Sequence, residues 1–377
     1  MQSSTKTATI IVGVIMLVAI VSSAIVPALN ASRNQTNQTS PTDVPIPTFP
    51  PPIANLNNIA FDQTYLHPSG LFTVAQPAGW DQVQPLTNTD TARVTMTNTN
   101  ALSVIEVSVV KPGAPVTNLD ELDARYTTEY LRQSWSRYRD ERETARKRDG
   151  DRLIIDFEMT LQQATYVARQ VSWTDGDWIY EVRVVVPENA VDTLVYVLDN
   201  LIPTLHPNKQ FASTPLDWAA YFDSQANDII RYPSNWTLGD SAPGRLASIT
   251  FENSIALRLQ TEADTTVADE DAARAWVEAN RSGATILSVQ PVTRGEASGY
   301  SVAYSFTDID GEGHSGLAVL LNGADNRVYS ANLRFQGADV DLNAAEVAEQ
   351  YATFKQVMDT FMVLPPMNLA VEATAEP

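Results

Sequence analysis

One short stretch carries residues that could hold a cation. In Asp308-Ile309-Asp310-Gly311-Glu312-Gly313-His314-Ser315-Gly316, the side chains of Asp308, Asp310, Glu312 and His314 alternate, as at the start of a calcium loop. A calcium loop needs a bidentate acid at its twelfth position, and Val319 stands there. Asp and Gly are also what tight turns select, so the stretch reads as a glycine-rich hairpin turn and no metal ligand is assigned. Hydrolytic chemistry has little to build on. The three histidines are His67, before Pro68 in a turn, His206, in a linker, and His314, in the glycine-rich turn. No G-x-S-x-G, H-E-x-x-H or Walker loop occurs. Asp and Glu are abundant enough for a glycosidase pair, but no spacing singles one out. The absence of Cys excludes disulfides, thiolate nucleophiles, Cys-bound zinc and a lipidated N-terminal Cys together. The chain is therefore expected to have no catalytic residue and no cofactor.

Charge narrows the partners. With 45 acidic against 25 basic residues the formal charge is −20, which disfavours a nucleic-acid backbone. The distribution is uneven: residues 125–152 hold nine Lys and Arg against six acids. That window either docks an acidic partner or anionic head groups, or is a solvated edge hairpin whose charges discourage unwanted pairing. Trp80 and Trp236, and likewise Trp135, Trp173, Trp178 and Trp276, are assigned to the core by default.

The elements that would carry these residues begin with an uncharged run of 22 residues, Ala8 to Leu29. At about 1.5 Å per residue it is long enough to span a hydrocarbon core of roughly 30 Å. The run exceeds a usual signal h-region, and the best cleavage candidate, Ser22-Ser23-Ala24, lies inside it. It is read as an uncleaved anchor with residues 1–7 cytoplasmic, the alternative being a cleaved signal and a secreted protein. Residues 30–56, with six prolines between Pro41 and Pro52, read as an extended stalk. The bulk of the chain is expected to be extracytoplasmic.

Beyond the stalk the chain repeats itself. Tyr65 to Trp80, YLHPSGLFTVAQPAGW, returns at Tyr221 to Trp236 as YFDSQANDIIRYPSNW, each with a short strand stopped by a Pro-containing turn. After further strands, Leu102–Val110 in the first copy and Ser254–Gln260 in the second, each copy has a helix. Asn118 and Glu121 form a capping box for the first, with Leu119, Leu122, Tyr126 and Tyr130 along one helix; the second runs from about Asp269 to Arg281. The strand Gly299–Thr307 matches Gly150–Thr160, which makes Arg139 to Lys147 a strand as well. Tyr166–Trp173 and Trp178–Val186 match Ser315–Leu321 and Arg327–Phe335. Amphipathic helices close both copies, through Val191–Leu201 and Val347–Phe361. Matched positions are 147 to 160 residues apart throughout, as a tandem duplication with loop drift requires.

A Tyr, then P-x-G-x-F, then P-x-G-W at the head of such a unit, here Tyr65, Pro68, Gly70, Phe72, Pro77, Gly79 and Trp80, resembles the PsbP/Mog-like superfamily and its exported bacterial relatives. The second copy keeps Tyr221, Pro233 and Trp236, with Asn235 in place of Gly79. The resemblance spans about residues 57–366. It implies non-catalytic binding or assembly modules and carries over no ligand residue. The expected fold is α+β: two tandem domains, 57–208 and 213–366, each an antiparallel sheet covered by helices as an α/β/α sandwich, after an N-terminal membrane helix at 8–29. Residues 206–215 would be a linker and 367–377 a disordered tail. The expected function is a membrane-anchored, extracytoplasmic binding or assembly module with a protein partner. The alternatives are a small-ligand or divalent-cation sensor of the envelope and, behind it, a cell-envelope hydrolase.

Overall fold

The computed structural model describes residues 49–251 and 255–370. The anchor at 8–29 and residues 371–377 lie outside the described residues. Among those described, no helix is long and apolar enough to cross a membrane.

The first lobe opens with a hairpin, β1 (Gln63–Leu66) and β2 (Phe72–Gln76). Then come β3 (Gln82–Thr87), β4 (Thr91–Asn98), β5 (Ser103–Val110) and two short helices, α1 (Leu119–Arg125) and α2 (Thr128–Ser134). A four-strand meander follows: β6 (Arg139–Asp149), β7 (Arg152–Leu161), β8 (Ala164–Thr174) and β9 (Ile179–Pro187). It leads to α3 (Val191–Leu201) and the two-residue strand β10 (His206–Pro207). The second lobe repeats the plan with β11 (Ala219–Asp223), β12 (Asp228–Tyr232), β13 (Thr237–Ala242), β14 (Leu246–Phe251) and β15 (Ile255–Ala263). Its helix α4 (Glu270–Asn280) precedes β16 (Thr285–Arg294), β17 (Ala297–Thr307), β18 (Gly313–Asn322) and β19 (Arg327–Gln336), and α5 (Glu349–Asp359) and β20 (Met362–Val363) close the lobe.

Each lobe is a seven-stranded antiparallel sheet beside a three-stranded one. The large sheets run β3-β4-β5-β9-β8-β7-β6 and β13-β14-β15-β19-β18-β17-β16, and the small ones β1-β2-β10 and β11-β12-β20. Strand for strand the two orders are the same. The molecule is thus a two-domain, mostly-β α+β fold. One face of the first large sheet, with Val94, Met96, Val107 and Val184, packs on the hairpin and α3; the other, with Ile155, Phe157 and Val185, packs on α1 and α2. In the second lobe the hairpin and α5 take one face and α4 the other.

Several expectations need correction. The single helix through Tyr126 and Tyr130 is two helices. Tyr126 leaves helical geometry at φ −85°, ψ 62°, because its buried hydroxyl donates to Glu181 Oε1 at 2.7 Å and Thr127 Oγ1 caps a new helix at Tyr130 N. Strands β3, β13 and β14 were not foreseen; the exposed, weakly apolar edges β3 and β13 give little alternation to detect. The segment 206–215 is not a free linker. His206 pairs with Thr73, and Phe211 is fully buried. The stalk does not run free to 56, since Phe49 meets Tyr166 edge-on at 5.2 Å. The tail is also held at its start: Thr64 N donates to Asn368 O at 2.6 Å and Ala370 N to Thr64 O at 2.9 Å.

The same segments join the lobes. Phe211, Leu216, Ile229, Met362 and Leu364 belong to one buried cluster with Phe72, Val74 and Trp80 of the first lobe. Gly70 sits at this junction with φ +74°, and a Cβ there would come within 2.8 Å of Ile229 Cδ1, so only glycine fits both backbone and neighbour. Arg231, fully buried, donates through Nη2 to the carbonyls of Pro215 (2.8 Å), Leu216 (3.0 Å) and Trp218 (3.2 Å), and through Nη1 to Thr214 Oγ1. It folds the connecting segment against β12. Burial lowers its pKa to about 9.

Candidate functional site

The acidic glycine-rich turn joins β17 to β18. Asp308 Oδ1 accepts from Asp310 N and Glu312 N, both at 2.9 Å, and His314 Nε2 lies 3.0 Å from Asp308 Oδ2. Gln336 Nε2 donates to Glu312 Oε2 at 2.9 Å. One ligand atom each of Asp308, Glu312 and His314 falls within 4.8 Å of the others. The hydrogen bond from Glu312 N, followed by burial acting the other way and the contact with His314, leaves the Asp308 carboxyl below its usual range. Asp310 is not in this group. One imidazole and two carboxylates suit a borderline transition ion better than calcium, which takes six to eight oxygens. Gly311, Gly313 and Gly316 also stand at G-x-G-x-x-G spacing. They lead into strand β18 and not onto a helix N-terminus, so they lack the pyrophosphate seat of a dinucleotide site.

The other histidines are structural or solvent-facing. His206 is exposed. His67 is fully buried, stacked on Phe72 at 4.8 Å, with Nε2 3.1 Å from the Arg93 carbonyl and Nδ1 2.7 Å from Ser69 Oγ. The carbonyl can only accept, so Nε2 carries the proton and Nδ1 accepts. Burial lowers its pKa to about 4 and keeps it neutral. Trp80, Trp135, Trp178 and Trp236 are buried, whereas Trp173 and Trp276 are half-buried.

The basic window of the first lobe is largely neutralised from within. Strand β6 is the sheet edge, but Arg146 pairs with Asp123 at 2.5 Å and Glu143 at 2.7 Å, Arg148 with Asp120 and Asp123, and Arg142 with Glu158. Its helices supply the missing acids, which a count within the window could not reveal. Beneath α1 and α2 a buried network continues the pattern. Arg183 Nε donates to Gln170 Oε1 at 2.8 Å, and its Nη atoms lie 3.8 Å from Glu106 and 3.6 Å from Glu181. Arg137 reaches Glu106 at 3.0 Å. Burial opposes the Arg183 charge, but Glu181 and Glu106 outweigh it and its pKa is raised.

No family model matches the chain, and no curated protein matches it. Solved structures that are similar include cyanobacterial PsbP from Synechocystis sp. PCC 6803, at 15% identity and TM-score 0.28, covering 39% of this chain and 92% of that one. A Bacteroides thetaiotaomicron protein aligns at 13% identity and TM-score 0.26 over 40% of this chain. This chain spans about half of that protein, 49%. The Pseudomonas aeruginosa immunity protein TplEi aligns at 12% identity and TM-score 0.24, covering 76% of this chain and 98% of that one.

The corresponding face of the second lobe is built differently. Register places Arg258 opposite Asn332, as Glu106 is opposite Arg183 in the first lobe. Arg334 takes the position of Val185, Ser330 that of Glu181 and Ala318 that of Gln170. Tyr304 lies across Gly316, where a Cβ would fall 2.3 Å from its ring, and its hydroxyl donates to Asn332 Oδ1 at 2.6 Å. Arg281, just past α4, stacks on Phe306 at 3.8 Å, and Phe306 stacks on His314. Helix α4 packs on β16 and β17. Arg258 is exposed and Arg334 half-buried. Among the described residues, none of Arg258, Arg281 and Arg334 forms an ion pair. Sequence reasoning missed this trio because its members are 23 and 53 residues apart along the chain.

Proposed function

We propose that this chain is an exported, membrane-anchored binding or assembly module, without catalysis, built from a duplicated PsbP/Mog-like domain. The observation that carries the reading is the pairing of identical strand order with unlike outer faces. The inner hairpins are consumed in a shared apolar junction, which holds two equivalent faces on one body, the first closed and charge-paired and the second open and cationic. A rigid two-faced body can present a partner with more than one contact. The uncharged run of residues 8–29 supports placement at a membrane, with residues 49–370 outside the cytoplasm. The test compares the full chain with a variant lacking residues 1–29 by membrane fractionation, followed by cross-linking in native membranes and affinity capture. A membrane-bound full chain that cross-links to a defined protein is expected. A full chain found in the soluble fraction would refute the anchor, and capture of nothing above a mock control would refute the binding role.

A second reading, a divalent-cation sensor, is favoured by the convergence of Asp308, Glu312 and His314 within 4.8 Å. Calorimetric titration with Zn²⁺ decides it. Heat that disappears in His314→Ala supports the sensor, and no heat removes it.

A further inference from the structure

We propose that the open half of the second lobe's sheet, centred on Arg258 and Arg334 with Arg281 at its rim, docks a carboxylate-bearing segment of a protein partner. The inference rests on the binding reading above and names the surface and its chemistry.

The charge at this face is unusual for its surroundings. The protein carries a formal charge of −20, and most of its arginines elsewhere are answered by an acid within 4 Å. Here three guanidiniums gather without one among the described residues. Arg281 lies over Phe306, which stacks on Tyr304 at 6.0 Å, and Arg334 Nη2 reaches the carbonyl of Asn280, the residue before Arg281, at 3.5 Å. Arg258 lies directly across from Asn332, the acceptor of the Tyr304 hydroxyl, so the three flank one small area. The neighbouring sheet positions Ser248, Thr250, Ala256 and Ser330 carry no charge. The nearest acid along β15, Glu262, stands four residues from Arg258 and accepts from Gln260 at 2.8 Å.

The equivalent positions of the first lobe show what the second has given up. There Glu106 and Glu181 answer Arg183, and Trp135 closes over it at 4.9 Å. In the second lobe both acids are gone, replaced by Arg258 and Ser330. Helix α4 covers β16 and β17 and its last residue, Asn280, accepts from Arg334 Nη2 at 3.5 Å, which leaves β14 and β15 as the part of the face away from the helix. A partner supplying carboxylates would complete the charge balance that the first lobe achieves internally.

The donors select the ligand. Guanidinium is planar and matches a carboxylate with two parallel N–H···O bonds. Asn332 Oδ1 accepts from Tyr304, and its Nδ2 is a further donor beside the arginines. Arg334 is opposite Ala256, two residues from Arg258 along β15. Acids at alternate positions of an extended strand repeat every roughly 7 Å on one face, the same step as this pair. An extended acidic segment therefore suits the face better than a point anion does.

Anisotropy of a fluorescein-labelled deca-glutamate peptide against the purified full-length protein tests this at low salt. Saturable binding is expected, weakened at least about tenfold in Arg258→Glu/Arg334→Glu and weakened also by raising salt. The control Arg139→Glu/Lys147→Glu makes the same charge change on the exposed edge of the first lobe and should bind as wild type. Equal losses in both variants would show only net charge and overturn the proposal. So would absence of peptide binding, or binding to phosphatidylglycerol vesicles in its place. The milder Arg258→Gln, at an exposed position, separates lost contacts from lost folding and is expected to weaken binding with an unchanged melting temperature. Cross-linked capture divides the two claims: equal capture by wild type and Arg258→Glu/Arg334→Glu overturns this face and leaves the binding function standing, whereas no capture by wild type overturns both.

Discussion

Replacing Asp228 by Asn should make the protein more stable at neutral and alkaline pH, and the structure gives the size. Asp228 is 2% exposed and directly opposite Asp223, which is 5% exposed. Asp223 is provided for: it accepts from Gln225 N at 2.9 Å, Ala226 N at 3.1 Å and Gly244 N at 2.5 Å. Asp228 Oδ1 has no hydrogen-bond partner. Burial first, then the charge of Asp223, pushes the Asp228 pKa from 3.8 to about 7. Tyr221 on β11 and Tyr329 on β19 face the same pair, and Tyr221 is raised to about 12 by burial and then by Asp223 and Asp228. A raised acid favours the folded state below its unfolded pKa, and that advantage is lost as pH rises through the folded pKa. Each unit is worth about 1.4 kcal/mol, so the full cost above pH 7 is about 4 kcal/mol. About 3 kcal/mol of it develops between pH 4.5 and 8. The neutral, near-isosteric Asn cannot develop this cost. Urea unfolding of wild type and Asp228→Asn across that range, read as the difference between them, cancels the titrating groups that do not interact with Asp228. The stability difference should move in favour of the variant by about 3 kcal/mol from pH 4.5 to pH 8. Parallel pH profiles would refute the argument that Asp228 is held protonated.

Three other outcomes follow from the same contacts. His67 carries the opposite slope: burial lowers its pKa from 6.5 to about 4, so stability is intact above 6.5 and lost as pH falls toward 4, and His67→Gln should flatten the acid limb of the urea series. Gly70→Ala should cost about 1–3 kcal/mol in the same assay, since it adds overpacking at Ile229 to a positive φ. Arg231→Ala should cost about 3–5 kcal/mol by leaving three buried carbonyls and Thr214 without their donor, and limited proteolysis should then open the chain near residues 212–218.

The two-domain plan was legible because landmarks recur in order: Tyr65 and Tyr221 are each the third residue of β1 and β11, and Tyr180 and Tyr329 occupy matching positions of β9 and β19. Comparison of the copies, and not local composition, assigned Arg139–Lys147 to a strand. Its many charges mimic a solvated helix, yet β6 forms the sheet edge. The edge strands β3 and β13 left no trace because most of their side chains meet water. The site was harder to read for a different reason. Whether a cationic residue is free depends on partners from other elements: Arg148 is paired by Asp120 and Asp123 on α1. Arg258 and Arg334 come together only through the pairing of β15 with β19. The regions that looked most charged in sequence are thus internally answered, and the arginines left unpaired looked ordinary.

The hairpins that open the two lobes share a strand plan but not the chemistry of their tips. Where the first lobe pairs His67 with Phe72, whose backbone accepts from His67 N at 3.0 Å, the second pairs Asp223 with Asp228. One tip is a buried neutral base and the other a buried acid pair, and both adjoin strands that enter the shared junction, β2 through Phe72 and β12 through Ile229. Protonating the first or ionising the second places a charge in a buried site. The two contributions change over the same range, about pH 4 to 7, with opposite slopes, so the loss at one tip offsets the gain at the other there. The two lobes thus share one strand order and one buried junction while a few buried positions give them unlike faces.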